Sequence, residues 1–426
     1  MLGGCTGLPG PTGTEAEIIK KATAMPALTP ADGVQVKTIA RNGLLISPSI
    51  RQSASLISAS ADQVRVQRAA LFPGLSVAAG GGLGRTSVGT PAMQLTGSQL
   101  LFDGGNSERV VKLADFDLQI NYIAFQKAVD DALVDLLKAY DNVQMQRELL
   151  EVYKKQLKAL TELDALVAKR STSGASSTTD HLDTRKRLQS AAFLVHDTEL
   201  ALGEAQDRLI LLSGQPQGGR LNLTAKSCKA NGETDDLRIA RLSQARAQLE
   251  LVRAEKAIIP RVGLSPFVGG ELGINRLPIG VNLDIQSDLL QGGAYTAKAN
   301  AARNQLAATE AKLAAVRLED SLGERGLLRS LAAADRKTDM LKREIELLKK
   351  TRVLYRSQYF DMGTRRLSEL LDNEEEYYTR QAELVQLHSA ISLNQAQCAV
   401  RSRTLRQELD LEGHSIYGFP LSSGLI

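Results

Sequence analysis

A tandem duplication constrains the fold of this 426-residue chain more than any other feature. The segment Ser98–Gly105 reads SQLLFDGG, and Ser287–Gly293 reads SDLLQGG. Two other landmarks recur at nearly the offset that separates the Gly-Gly pairs: Pro73 with Pro260, and Gly174 with Gly363. This period is far longer than the roughly 20–50 residues of a solenoid repeat, so we interpret the chain as one supersecondary unit present twice in a single structure.

A long helical pattern follows each Gly-Gly pair, over Asn106–Arg170 and Ala294–Ser357. Between Val129 and Leu163, apolar residues recur at spacings of three and four, which is typical of helices packed as in a coiled coil. At about 1.5 Å per residue, a helix of about 65 residues would extend roughly 97 Å. A compact soluble domain needs no helix of that length.

Breaks in these patterns set the predicted domain organisation. We predict an extended N-terminal tail over 1–33, a first repeat over 34–236, a second repeat over 237–410 and a C-terminal coil over 411–426. The first repeat comprises a helix, strands at about 75–103, the long helix 106–170, a tip at 171–179, a return helix 180–213 and an equatorial segment 214–236. The second comprises a helix 237–259, strands at about 261–290, the long helix 294–357, a tip at 358–364 and a return helix 365–409.

The segment before each Gly-Gly pair has the character of strands. Between Ile279 and Ile285, apolar residues alternate with polar or small ones, as in a barrel strand between lipid and a watery lumen. The first strand pair is poorer, since Gly80–Gly84 offers little to lipid. No run approaches the roughly 18 apolar residues of a transmembrane helix. A membrane crossing would therefore have to use strands.

Four strands cannot close a barrel alone, and an open sheet edge in lipid leaves backbone groups unpaired. Three chains would supply 12 strands, an even number within the range known for membrane barrels. The predicted fold class is mainly α with a small β part. Tandem-duplicated long helical hairpins form an α-barrel tunnel, and four strands per chain contribute to a 12-stranded trimeric β-barrel.

Composition and motifs argue against several functional classes. Charged residues make up 23% of the chain and the net charge is only +4, whereas a nucleic-acid binder concentrates excess Lys and Arg on one face. The histidines have no partner at metal-ligand spacing, and no nucleophile stands in a recognisable catalytic motif. Gly80–Gly84 does not lie between a clear strand and a helix, as a dinucleotide loop requires. We therefore expect no enzyme activity and no metal, cofactor or nucleic acid.

The N-terminus carries a candidate lipidation site. Leu2-Gly3-Gly4-Cys5 has the form of a bacterial lipobox, in which Cys5 would be lipidated. Only four residues precede Cys5, so the basic and apolar parts of a signal peptide are absent. Either the true start lies upstream or the pattern is a coincidence of a glycine-rich terminus.

The order of these parts, the LFDGG junction and the MGTRRLSELLD sequence of the second tip resemble the TolC family of outer membrane efflux and secretion channels, over roughly Val34–Leu409. The resemblance implies a homotrimer in the outer membrane of a Gram-negative bacterium, with a strand barrel in the lipid and a helical tunnel in the periplasm. It also implies an exit duct for an inner-membrane pump, coupled through a periplasmic adaptor protein, in tripartite efflux or type I secretion.

The resemblance assigns roles to residues of the two tips. By position, Thr179, Asp180 and Arg365 match the latch residues that hold the family's periplasmic entrance closed. Phe360 stands where the family has a tyrosine, so one latch hydrogen bond is missing. Contact with the adaptor is implied for the two tip turns, at Ser173, Gly174 and Ala175 in the first tip and at Met362, Gly363 and Thr364 in the second.

Two carboxylates of the second tip allow two interpretations. Glu369 and Asp372 are three residues apart on a predicted helix and so share a face. In a three-fold assembly they would form rings that favour cations at a constriction. The alternative is that they are ordinary acids of a first helical turn, favoured by the helix dipole.

Cys228 and Cys398 also leave two alternatives open. Counted in residues from the tip of its own repeat, each cysteine could lie at the same height along the helical tube, near the equatorial segment. A periplasmic disulfide would then join them. The other alternative is two unpaired cysteines, because the height comparison is loose.

A functional class without any channel also fits the helices. Long heptad-like helices and a low aromatic content, 4%, suit a periplasmic or cytoplasmic coiled-coil scaffold. The strand pairs discriminate between the two, since a scaffold has no use for the alternation between Ile279 and Ile285.

Overall fold

The computed structural model describes residues 10–80, 92–216, 219, 228–229, 232–271, 278–287 and 292–422. The helices are α1 (Thr14–Thr23), α2 (Val36–Ile46), α3 (Pro48–Ala69), α4 (Asn106–Thr172), α5 (Thr178–Ser213), α6 (Asp235–Glu255), α7 (Ala294–Ser357), α8 (Leu367–Arg401) and α9 (Leu405–Glu408). A π-helical turn, Gln358–Met362, follows α7. The strands are β1 (Gly74–Gly80), β2 (Ala92–Phe102), β3 (Arg261–Glu271), β4 (Ile279–Gln286), β5 (Ser415–Ile416) and β6 (Phe419–Pro420).

Two long antiparallel hairpins form the body of the protein. Helix α4 pairs with α5, and α7 pairs with α8. Helix α4 also packs against α8, so the four helices lie side by side in the order α5, α4, α8, α7. Helices α5 and α7 therefore form the two edges of this helical wall.

The main hydrophobic core surrounds the half of α4 nearer the sheet and includes residues from both terminal segments, such as Ile18 and Leu421. Tyr122, Phe125 and Tyr140 of α4 are fully buried there. The segment after α9 packs onto the same helix, since Gln126 Nε2 donates to the carbonyl of Pro420 at 2.8 Å. The C-terminal segment is therefore part of the core.

The described parts of the two terminal segments are more structured than the predicted tail 1–33 and coil 411–426. The first contains α1, which buries Ile18 and Ala22 and carries Glu15, ion-paired with Arg65 of α3. The second forms the β5–β6 hairpin, and Ser415 bridges to Ala27 near the N-terminus. Each end is ordered by residues far away in the sequence, which local composition does not indicate.

Two predicted helices are interrupted in the structure. The opening helix is divided into α2 and α3 at Ser47, whose backbone is extended because Pro48 follows it. The final return helix ends at Arg401, and the short α9 follows. Most of the predicted equatorial segment 214–236 lies outside the described residues.

One antiparallel sheet joins the strands of both repeats in the order β1-β2-β3-β4. Its register places Val77 opposite Leu95, Leu95 opposite Val268 and Val268 opposite Ile279. Directly paired residues point to the same face, so an apolar row crosses all four strands. The first strand pair, which looks poor in sequence, thus contributes to the same apolar face as the second.

Both Gly-Gly pairs adopt the same backbone. Gly104 and Gly105 have φ angles of 64° and 75°, and Gly292 and Gly293 have 53° and 82°. This left-handed conformation is unfavourable for residues with a Cβ. The repeated dipeptide therefore makes the same turn from sheet to long helix in each repeat.

Within the described residues, none of the helices is both long and apolar enough to span a membrane.

Candidate functional site at the helical tips

The first tip is a glycine-terminated helix end followed by a capped helix start. Helix α4 ends just before Gly174, whose φ is 74°, and the amide of Ala175 donates to the carbonyl of Arg170 at 2.8 Å. Ser177 then caps α5: its side chain accepts from the amide of Asp180 at 3.0 Å, while the Asp180 carboxylate accepts from the Ser177 amide at 3.3 Å. This reciprocal capping box satisfies two otherwise free amides.

The second tip is built around Arg365. The chain leaves the π-helical turn through Gly363, with a φ of 66°. Arg365 donates through Nε to Gln358 Oε1 and through Nη1 to Glu369 Oε2, each at 3.1 Å. Its guanidinium also lies 3.9 Å from the ring centroid of Tyr355, a cation–π contact. Arg365 therefore holds the turn to both flanking helices.

Arg170 and Tyr359 join the two tips, and neither residue stands out in the sequence patterns. Arg170 Nη1 donates to the carbonyl of Phe360 at 2.9 Å, and its guanidinium lies 5.1 Å from the Tyr359 ring centroid. The Tyr359 hydroxyl lies 3.2 Å from Ser176 Oγ of the first tip. The sequence offered one indication of Tyr359: it directly precedes Phe360, where the family resemblance implies a tyrosine.

Within one chain, the proposed latch residues contact other partners. Asp180 accepts from its own capping serine and from Ser176 Oγ at 2.9 Å, while Arg365 bonds within the second tip. Thr179 is exposed beside Asp180. The described chain does not pair Arg365 with Asp180, and the latch between neighbouring coils of the tips stays a prediction.

Each carboxylate of the predicted acidic constriction has a basic partner. Glu369 pairs with Arg365 at 3.1 Å. Asp372 accepts from Arg187 Nη2 at 2.5 Å, and the other Arg187 nitrogen bonds Glu375. Arg187 lies on α5, so the sequence spacing on α8 gave no sign of it. Any ring of these carboxylates would be partly neutralised.

The residues predicted to contact an adaptor are all exposed, at the far end of the hairpins from the sheet. They are Ser173, Gly174 and Ala175 in the first tip and Met362, Gly363 and Thr364 in the second. Adaptor contact stays a prediction for them. Among the described residues, no group of His, Cys, Asp and Glu is arranged to hold a metal ion.

A disulfide joins Cys228 to Cys398, with Cα atoms 4.2 Å apart. Both cysteines are buried. Nearby, Arg403 Nη2 contacts Asp235 Oδ1 at 3.1 Å. The end of α8 is therefore attached to the equatorial segment by a covalent bond and an ion pair. Cys5 lies outside the described residues.

Two ionisable groups are buried in the helical wall between tips and sheet. Burial raises the pKa of Asp141 on α4 to about 6, although a hydrogen bond from Ser389 of α8 opposes the shift. Glu374 of α8 is buried and pairs with Arg352 Nε at 2.7 Å. The Arg352 guanidinium also lies 5.4 Å from the Tyr378 ring centroid. Both groups connect neighbouring helices of the wall.

Comparison with protein families gives one match. Residues 41–215 match the family described as outer membrane efflux protein. That segment runs from α2 through the first sheet strands, α4 and the first tip to the end of α5. The match covers less than half of the chain and places the pattern of that family in this segment. No curated protein matches the chain.

Several solved structures share the architecture. The outer membrane protein VceC of Vibrio cholerae has 16% identity and a TM-score of 0.78, covering 91% of this chain and 97% of its own. The CmeC outer membrane channel of Campylobacter jejuni has 12% identity and a TM-score of 0.77, covering 92% and 87%. The MtrE outer membrane channel of Neisseria gonorrhoeae, in its open state, has 16% identity and a TM-score of 0.72, covering 89% and 95%. Residues 41–215 thus carry the pattern of the outer membrane efflux protein family, and the chain as a whole has the TolC-family fold that its motifs predicted.

Proposed function

We propose that this protein is the outer membrane channel of a tripartite efflux or type I secretion system. Three copies would form a passive exit duct, with the sheet in the outer membrane and the helical hairpins in the periplasm. A periplasmic adaptor would contact the exposed tips and connect the duct to an inner-membrane pump.

The apolar row across the sheet carries this proposal. Within one chain Ile279 is 76% exposed and Val77 is 66% exposed, and both lie on the face that Leu95 and Val268 continue. Lipid is a suitable environment for such a face, whereas water is not. On strands β3 and β4, Ser265 Oγ donates to Asp284 Oδ2 at 2.6 Å, a polar contact suited to the lumen side.

The open edges of the sheet support a homotrimer. Within the described chain, β1 and β4 each pair on one side only. Unpaired backbone groups cost several kcal/mol each in lipid, about the cost of burying an amide without a partner. Pairing β4 of one copy with β1 of the next removes both edges, and three copies give a 12-stranded closed barrel.

The tips would form the gate. In this proposal Arg365 exchanges its bonds with Gln358 and Glu369 for Thr179 and Asp180 of a neighbouring hairpin when the entrance closes. A planar guanidinium suits such exchange, since it can bond two acceptors at once. Lipidation of Cys5 would add an anchor in the outer membrane.

Single-channel recording in planar bilayers tests the function and the gate separately. The purified protein is expected to insert and conduct ions as a detergent-resistant trimer. Arg365→Ala should raise the conductance, with Arg366→Ala as the matched control because Arg366 is the next residue and is exposed. Unchanged conductance in an intact Arg365→Ala trimer refutes the latch, while a protein that never inserts refutes the channel.

The alternative, a coiled-coil scaffold, makes an opposite prediction. A scaffold would be a water-soluble helical oligomer that does not bind detergent or lipid vesicles. The apolar row from Val77 to Ile279 argues against it, because that row would face water. Flotation with lipid vesicles distinguishes the two, since only the channel should float.

A further inference from the structure

An exposed stripe on α5 alternates large apolar and acidic residues. Phe193, Asp197, Leu200 and Glu204 follow one another at spacings of four, three and four, so they share one face of the helix. Phe193 is 68% exposed and Leu200 is 60% exposed. We call these four residues the α5 stripe.

Helix α7 carries a stripe of the same spacing and the opposite charge. Arg336, Met340, Arg343 and Leu347 also follow one another at four, three and four residues. Met340 is 62% exposed and Leu347 is 65% exposed. We call these four residues the α7 stripe.

Other charged residues of α5 and α7 form ion pairs within the chain, but the charged residues of the two stripes do not. Glu199 of α5 bonds Lys154 at 3.0 Å, and Glu344 of α7 bonds Arg380 at 2.9 Å. By contrast, no ion pair within the described chain involves the acids of the α5 stripe or the arginines of the α7 stripe. Both stripes therefore lie on the sides that face away from their own hairpins.

We propose that the α5 stripe packs against the α7 stripe of a second copy of this chain, in one antiparallel register. Because the spacing of four, three and four residues is the same in both directions, the four positions of the α5 stripe align with those of an α7 stripe that runs the opposite way. The resulting pairs are Phe193 with Leu347, Asp197 with Arg343, Leu200 with Met340, and Glu204 with Arg336. This inference rests on the proposed ring assembly and specifies its helical contact.

Charge explains why each stripe selects the other. Two α5 stripes would place acids opposite acids when parallel and acids opposite apolar residues when antiparallel. Two α7 stripes would do the same with arginines, so neither helix packs favourably on its own copy. Contact between unlike surfaces is heterologous, and a heterologous contact that closes gives a ring. A two-fold dimer through either stripe is disfavoured.

The same register is consistent with the tips. Phe193 and Leu347 lie at similar distances along the chain from their tip glycines, Gly174 and Gly363. Inside one chain the two tips are already level, because Arg170 of one reaches the Phe360 carbonyl of the other. The proposed contact would keep all the tips of the ring at one level.

Engineered cysteines test the register in the full-length protein. In the double variant Leu200→Cys with Met340→Cys, oxidation should link chains covalently into dimers and trimers on denaturing gels. The two single variants, co-expressed, should give only linked pairs. Leu200→Cys with Leu354→Cys is the register control, because Leu354 lies two heptads, roughly 21 Å, further along α7, beyond the reach of a disulfide. Linking in the control but not in the first variant overturns the register.

Charge reversal provides a second readout and separates the two proposals. Asp197→Arg with Glu204→Arg should cause most of the detergent-resistant trimer to be lost, and Arg336→Glu with Arg343→Glu in the same chain should restore it. Trimers that survive the first pair of changes, or that the second pair does not restore, overturn the stripe contact and leave the channel standing. A wild-type protein that forms no trimer at all overturns the proposed function itself.

Discussion

Replacing Arg352 with methionine should destabilise the protein strongly. The side chain of Glu374, its partner, is only 1% exposed, and the Arg352 Nε to Glu374 Oε1 distance is 2.7 Å. Arg352 also lies over the rings of Tyr377 and Tyr378, at 5.3 Å and 5.4 Å. Methionine retains much of the apolar packing but leaves a buried carboxylate without a counter-charge. Breaking a buried pair in this way costs about 3–5 kcal/mol.

Chemical denaturation followed by circular dichroism at 222 nm measures this cost, at a fixed protein concentration because assembly affects apparent stability. Adding Glu374→Gln to the Arg352→Met variant should recover most of the loss, since the buried charge is then gone. The control is Arg380→Met, on the same pair of helices, where the partners Glu344, Glu376 and Glu383 are all solvent-accessible and keep their hydration when the arginine is removed. It should cost less than about 1 kcal/mol. Equal effects for Arg352→Met and Arg380→Met, or no recovery with Glu374→Gln, would refute the reasoning.

Three further outcomes are expected. Because burial raises the pKa of Asp141 to about 6, its charge is destabilising above pH 6, so Asp141→Asn should stabilise the protein by about 1–2 kcal/mol at pH 7.5. The gain should shrink as the pH falls towards 5, and a gain independent of pH would contradict this. Thiol titration of the unfolded protein should find two more thiols after reduction than before, from Cys228 and Cys398; equal counts would mean that the bond is absent. Tyr359→Phe removes the hydroxyl that contacts the first tip and should raise single-channel conductance. Tyr377→Phe, which lies further from the tips on α8, should leave the conductance unchanged.

The repeated architecture could be predicted because it depends on local features of the sequence, namely glycines at turns and the spacing of apolar residues. The Gly-Gly pairs stand where φ is positive in both repeats, a conformation that few other residues adopt. The three-and-four spacing of apolar residues indicates a long helix wherever one side is buried. Gly174 and Gly363 mark the tips for the same reason, with φ angles of 74° and 66°.

Features that depend on distant partners could not be predicted. Helix α1 lies in a segment rich in Pro, Gly and Thr, and its order depends on packing against α3 and α4, including the contact of Glu15 with Arg65. The link between the tips depends on Arg170 reaching a carbonyl in the other repeat. Arg187 neutralises Asp372 from a different helix. In each case the spacing within one segment carries no information about the partner.

The order of strands and the order of helices favour the same assembly. The sheet ends at β1 on one side and β4 on the other, while the helical wall ends at α5 and α7. Strand β1 and helix α5 belong to the first repeat, and β4 and α7 belong to the second. A single head-to-tail rotation would therefore pair β4 of one copy with β1 of the next copy. The same rotation would bring α7 of the first copy against α5 of that next copy. Strands β1 and β4 run in opposite directions, so this pairing continues the antiparallel alternation around the ring.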